Sequence, residues 1–592
     1  MDINNRIKAL REVMKEKNLD AFIIPSSDNH LSEYVGDYFK CREWISGFTG
    51  SAGTAVVTLS EAHLWVDGRY YIQAEKQVKG SEYIIEKLGM SNVDNFPKWL
   101  CKNLNEGNKV GFNGKVMAVS TFNDLQKSLN EKEIEIKVED DLINELWKDR
   151  PSMPFGKLFI HDTKYAGKTA LEKINKVREK LSEENVNYTV ISSLDDIAWL
   201  LNLRGRDIPC NPVFLSYTLL SNDKCTLYID SRKIDNEIIN YLSDNGVEVK
   251  QYDDIEVDLR NLNSEDKILF DQNKTNVWLN EAISKDIVRK EHRDITTDLK
   301  AVKNSVELEN LEKCQVKDGV AMVNFVYWLK SNIGKIDIDE ISASDKLERF
   351  RREMENNLGL SFDSISAYGA NAAMMHYKAT EENRAKLEPE GFYLIDSGGQ
   401  YLEGTTDITR TIVLGDLTEE EKEDFTLVLK GNIGLSSSIF LQGTTGSNLD
   451  ILARKPIWEK GLDYKCGTGH GVGFLLNVHE GPHRISPQPN NISLKEGMVV
   501  TNEPGIYKEG KHGIRIENDL VVVKHIETEF GTFFKFNEMS YCPIDLDGIE
   551  VKMLTNEEKK WLNTYHKKVY DKLSAYLEED ELKWLKEATR EI

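Results

Sequence analysis

The same order of strands and turns occurs twice in this chain, about 165 residues apart, and that repetition limits what its first half can fold into. In the first copy, Leu19 to Pro25 reads as a buried strand ended by proline, after an amphipathic helix from Ile3 to Lys17. Ile45 to Gly53 is a glycine-punctuated turn region. Thr54 to Leu59 and Ala62 to Asp67 form two strands about a Ser60-Glu61 turn, and a helix starts at Arg69. In the second copy, Val186 to Ser193 echoes Ala21 to Ser27. Leu200 to Arg206 takes the place of Ser46 to Gly50, and Leu227 to Arg232 repeats Trp65 to Arg69. The pattern predicts a duplicated α/β domain, the alternative being two unrelated α/β units with a chance likeness. A proline-bearing polar link, Asp149 to Pro154, separates the copies. A third region begins near Asp298 with a long helix from Ser305 to Lys330, apolar at Leu308, Leu311, Ala321, Val323, Phe325 and Trp328. The domains expected are 1–150, 151–300 and 301–592.

Composition narrows the class of function. A chain of 592 residues with 40% hydrophobic and 30% charged residues is ordinary for a multidomain soluble enzyme. Its net charge of −23 argues against nucleic-acid or anionic-membrane partners, which need an excess of Lys and Arg. No stretch approaches the length of a membrane span, and Met1 to Lys17 is charged throughout, unlike a secretory signal. Seven cysteines without paired spacing suit reduced thiols in a cytoplasm.

Chemistry concentrates in the last third. Asp396 precedes Ser397-Gly398-Gly399, Asp407 sits in Thr405 to Arg410, and His470 lies in the glycine-rich run Gly467 to Gly473. Glu503 precedes Pro504-Gly505, and Glu517 ends the alternating run Ile514 to Glu517. Phe392 to Ile395 is a strand that delivers Asp396 at its end, and Thr406 to Val413 is a second strand carrying Asp407. A glycine turn between them lets antiparallel neighbours bring both carboxylates to one point. Alternation puts Arg515 and Glu517 on one face and both isoleucines on the other. Singly, each residue is more often a turn, loop or salt-bridge residue. Together, four carboxylates and one imidazole are what two adjacent divalent cations need. The hard oxygen set favours manganese, with cobalt or zinc able to substitute.

The order and wording of these motifs, with Val478 to Pro482, resemble the pita-bread metallopeptidases of the creatinase/aminopeptidase P superfamily, and the Xaa-Pro aminopeptidase branch in particular. The resemblance covers essentially the whole chain, including Asp196 to Gly205, and two domains before the catalytic one are what its long members carry. It implies two creatinase-like N-terminal domains ahead of a pita-bread domain, α/β (α+β) throughout, and a family role for each motif residue. Asp396 would chelate one metal, Asp407 and Glu517 would bridge both, and His470 and Glu503 would bind the other. Glu503 would also accept the proton of the attacking water. His376 and His479 match histidines that contact substrate and stabilise the tetrahedral intermediate, with His470 beside them. Asp67 to Tyr70 resembles the segment from which long members reach the substrate cleft through Arg69; a plain Asp67–Arg69 turn pair is the other reading. His483 has no such match and is expected at the surface or behind the ligands. Cys466 stands where long members often carry histidine, and a thiol there would make activity sensitive to oxidation.

The expected activity is removal of an N-terminal residue that precedes proline, by water activated between two metals, in a cytoplasmic homodimer. Prolidase, restricted to dipeptides, is the nearest alternative, and the additional N-terminal domain argues against it. Methionine aminopeptidase uses the same ligands but lacks the N-terminal pair. A metal-free binding module on the same fold is the reading from a different class.

Overall fold

A computed structural model describes residues 1–592, which divide into two compact units. The first comprises Met1–Thr163 and Lys168–Asp298; the second comprises Lys164–Gly167 and Leu299–Ile592.

Within the first unit the two expected copies share one topology. The first sheet runs, in spatial order, Tyr83–Lys87, Ala62–Val66, Thr54–Thr58, Ala21–Pro25, Lys109–Asn113 and Glu135–Glu139. The second runs Val247–Lys250, Cys225–Ile229, Ser216–Ser221, Tyr188–Ile191, Lys267–Phe270 and Val288–Glu291. In both, the third strand is antiparallel to its two neighbours and the remaining pairs are parallel. Buried runs such as Ala62–Val66 and Cys225–Ile229 are continuous rather than alternating because both faces of each sheet are covered. The helix expected from Arg69 begins at Tyr71, since Asp67 accepts the Arg69 backbone N–H and turns the chain first. Residues 150–158 form the link and carry no helix or strand.

The second unit is built about a helix, Ser305–Asn332, that Asn304 and Glu307 cap reciprocally. It is buried almost all round in its middle turns, so the periodicity that foretold it is that of a central helix, not a surface one. Its Met322, Phe325, Val326 and Leu329 pack on Tyr393, Ile395, Ile408 and Ile412. Those four residues belong to Phe392–Ser397 and Ile408–Val413, which lie antiparallel beside Ile365–Tyr368. A six-stranded sheet orders Ile439–Leu441, Gly531–Glu538, Asn518–Thr528, Val499–Asn502, Gly469–Gly471 and Glu480–Ile485. Helices Glu419–Ser436 and Gly446–Trp458 cover it through Leu435, Leu449 and Ala453. A hairpin, Gly505–Lys508 with His512–Arg515, lies in sequence between Val499–Asn502 and Asn518–Thr528 of that sheet. No helix is long and apolar enough to cross a membrane.

Candidate metal centre

Five chain segments end at one place in the second unit. Asp396 is the fifth residue of its strand and pairs with Thr409, so Asp407 lies just before the start of the neighbouring strand. His470 is the middle residue of Gly469–Gly471, flanked by glycines because its neighbours are too close for side chains. A Cβ on Gly469 would lie 1.9 Å from the Thr501 carbonyl oxygen. Glu503 occupies the step between Val499–Asn502 and the hairpin, and Glu517 the step between the hairpin and Asn518–Thr528. The expected alternation holds: Ile514 and Ile516 enter the apolar core, whereas Arg515 and Glu517 turn to the acidic cluster.

Ligand atoms of Asp407, His470 and Glu517 all lie within 4.8 Å of one another. His470 Nε2 is 3.4 Å from Asp407 Oδ2 and 3.6 Å from Glu503 Oε1. Its Nδ1 lies 2.9 Å from the Gly471 carbonyl, so that nitrogen donates and Nε2 is presented to the carboxylates. Asp396 Oδ2 accepts from Arg515 at 2.6 Å, and Glu517 Oε2 accepts from Thr409 Oγ1 at 2.6 Å. Asp396 Oδ1 and Asp407 Oδ1 are buried and receive no hydrogen bond.

Burial first, and then Asp407 and Glu503, push Asp396 up to about 6, although Arg515 opposes them. Glu517 is raised well above the carboxylate range by burial and by Asp407, Glu503 and Asp396. Burial would lower His470, but Asp407 and Glu503 outweigh it and raise the imidazole to about 10. Four carboxylates thus face one guanidinium and one imidazole, an excess of negative charge that divalent cations would balance. With two bare buried oxygens and a correctly turned imidazole, the donor set fits a two-metal centre.

His479 packs edge-on against His470, with ring centroids 4.3 Å apart at 71°. His376 follows a short helical turn, Gly369–Ala373, that seats on the hairpin so closely that a Cβ on Gly513 would lie 1.8 Å from the Ala372 carbonyl oxygen. The Met375 carbonyl, one residue before His376, accepts from Arg515 at 3.5 Å. Arg69 belongs to the other unit, where Asp67 takes its Nε at 2.9 Å and a terminal nitrogen at 2.8 Å. The second copy repeats this turn pair: Arg232 Nε bonds Asp230 at 3.0 Å. His483 is not at the surface. It is buried behind Gly471, donates from Nε2 to the Val499 carbonyl at 2.7 Å, and is lowered to about 4 by burial and Lys303. Cys466 is pushed up to about 12 by burial and Glu503, which keeps the thiol neutral and works against the expected oxidation sensitivity.

Several supporting residues lie in or just beside the motifs and carried no assigned role. Asp519 Oδ2 accepts the Gln315 amide at 2.6 Å and the Asp407 backbone N–H at 3.3 Å, and burial holds its carboxyl well above its ordinary range. Arg410 is buried with neutral acceptors only, among them the Glu517 carbonyl at 2.6 Å and Asn518 Oδ1 at 2.8 Å. Thr501 Oγ1 receives the His470 N–H at 3.1 Å and lies 3.3 Å from Glu503. Their presence near the ligands was readable; their partners were not.

Residues 309–524 match metallopeptidase family M24, and residues 532–592 match the C-terminal region of peptidase M24. Residues 6–146 and 149–307 each match a creatinase/prolidase N-terminal domain. A probable Xaa-Pro aminopeptidase P of Fusarium vanettenii is 42% identical, covering 100% of this chain and 99% of that one. The chain belongs to metallopeptidase family M24. Another M24 relative, a probable Xaa-Pro aminopeptidase P of Tuber melanosporum, is 42% identical with 100% of both chains covered. Among solved structures, the X-prolyl aminopeptidase of Caenorhabditis elegans, described as a cytosolic enzyme with a di-nuclear active site, superposes with a TM-score of 0.96 at 33% identity and full coverage of both chains. The X-Pro aminopeptidase of Thermotoga maritima matches 62% of this chain and 97% of its own, at 28% identity and a TM-score of 0.50. The family read from the five motifs is the family found.

Proposed function

We propose that this M24 member is an Xaa-Pro aminopeptidase that hydrolyses the bond between an N-terminal residue and a following proline. The observation that carries the reading is the convergence of Asp396, Asp407, His470, Glu503 and Glu517, in a chain similar to Xaa-Pro aminopeptidases P along its whole length. Two divalent cations, manganese by the oxygen-rich donor set, would polarise the scissile carbonyl and lower the pKa of water.

The chain's own residues are assigned as follows. Asp396 would hold one cation, Asp407 and Glu517 would be shared between the two, and His470 with Glu503 would hold the other. Arg515 fixes Asp396 from behind, and Thr409 fixes Glu517. Glu503 Oε1 accepts the proton of the attacking water. His479, edge-on to His470, and His376 face the carbonyl as its bond order falls. Arg69 reaches the part of the peptide beyond proline. The protein is proposed to act in the cytoplasm as a homodimer.

A small peptide panel tests this reading: Xaa-Pro, Xaa-Pro-Xaa and Met-Gly-Xaa peptides, each with and without added manganese. Cleavage of Xaa-Pro-Xaa before proline is expected, and Met-Gly-Xaa should be poor. Turnover of dipeptides alone would make the protein a prolidase.

A further inference from the structure

Glu340 is fully buried at the first turn of helix Glu340–Arg352, and none of its partners carries a charge. Its carboxylate instead receives four donor groups. Oε1 accepts the Tyr368 N–H at 2.7 Å and the Asn371 amide at 3.0 Å. Oε2 accepts the Tyr377 hydroxyl at 2.8 Å and the Ala385 N–H at 2.8 Å, with Asn371 again at 3.3 Å. A buried carboxylate persists only when such donors, here aided by a helix N-terminus, replace its water. All four donors come from one stretch, Tyr368 to Ala385, which starts at the end of strand Ile365–Tyr368 and then has a single short helical turn and no further strand before Phe392. His376 lies in that stretch.

The chain on either side of His376 is therefore held at two points. Tyr377, the next residue, is tied to Glu340. Met375, the residue before, offers its carbonyl to Arg515, whose guanidinium also grips Asp396. We infer that Glu340 is a positioning residue for His376: it organises the irregular stretch so that this imidazole is fixed relative to the Arg515–Asp396 side of the metal centre. The inference rests on the proposed role of His376, and it adds a residue outside every motif that points to the centre.

A double-mutant cycle tests it, with kcat and KM measured on an Xaa-Pro-Xaa tripeptide at saturating manganese and bound metal counted for each variant. Glu340→Gln keeps one acceptor oxygen and replaces the other by donors, so the stretch loosens. A misplaced group costs up to about a hundred-fold in rate, and the loss is expected in kcat with bound metal unchanged. In the His376→Ala background, Glu340→Gln should have little further effect. Tyr377→Phe removes a single hydroxyl and should give a smaller loss with the same dependence on His376, which keeps the test open should Glu340→Gln not fold. An equal loss from Glu340→Gln, or from Tyr377→Phe, with and without His376 would overturn the inference while leaving His376 in place. A neutral His376→Ala would overturn the role of His376 and the inference together. Loss of bound metal that accounts for the lost rate would make Glu340 a structural residue of the centre.

Discussion

Asp407 faces several members of the centre at once. Its Oδ2 faces His470, its Oδ1 is buried without a donor, and its charge raises both Asp396 and Glu517. Asp407→Asn halves the ligation and removes the charge, so turnover should fall by several orders of magnitude and bound metal should drop; full metal content at normal rate would contradict this. Behind it, Asp519 holds the Asp407 backbone N–H. Removing partners that orient ligands typically weakens metal affinity about 10- to 100-fold, the loss expected for Asp519→Ala in a chelator competition titration. An unchanged affinity would reduce Asp519 to packing. Arg69 has an internal control, because Arg232 makes the same turn pair with Asp230 in the second copy. Arg69→Ala should raise KM for peptides that extend past proline, and Arg232→Ala should not. Equal behaviour of the two would leave Arg69 as a turn residue.

At the scale of elements, period and turn chemistry carried the reading far. The strand that carries Asp396 near its end and the alternation that separates Arg515 and Glu517 from Ile514 and Ile516 are local properties. So are the two copies, whose buried runs and turns recur in order. What the sequence did not disclose are partners far apart in the chain: Arg515 with Asp396, Asp519 with Gln315, and Glu340 with the stretch around His376. Each is a pairing of ordinary polar residues that only the packed fold selects. Another such pairing gives a pH dependence. His30, between the sheets of the first unit, lies 3.0 Å through Nδ1 from the Ser192 carbonyl and 2.6 Å through Nε2 from the Tyr252 hydroxyl. Burial lowers it to about 3, with Lys233 adding to the effect. The folded state therefore binds fewer protons there, so its contribution is present above the unfolded value near 6.5 and is lost as pH falls towards 3. At pH 5 the cost is about 2 kcal/mol from this group. Asp28, also facing it and raised by burial, acts in the opposite sense at lower pH, while Tyr217 and Tyr252 stay neutral. His30→Asn should therefore shift the change in thermal unfolding midpoint between pH 7 and pH 5 towards greater stability at pH 5 than in the wild-type protein; an unaltered change would assign no pH dependence to His30.

For the whole molecule, a duplicated α/β unit precedes a metallopeptidase unit whose acidic cluster has a charge excess that divalent cations would balance. The chain extends well beyond the 62% of it that the X-Pro aminopeptidase of Thermotoga maritima matches over 97% of its own length. The most direct test of the central claim is to count metal and product on one preparation of the purified protein. It is stripped with chelator, reconstituted stepwise with manganese, and given an Xaa-Pro-Xaa tripeptide at each step, with the released residue identified by mass spectrometry. The account predicts no release from stripped protein, and release of the N-terminal residue alone, rising with occupancy towards two metals per chain. Full turnover by protein holding no detectable metal, or an intact tripeptide at full occupancy, would contradict it.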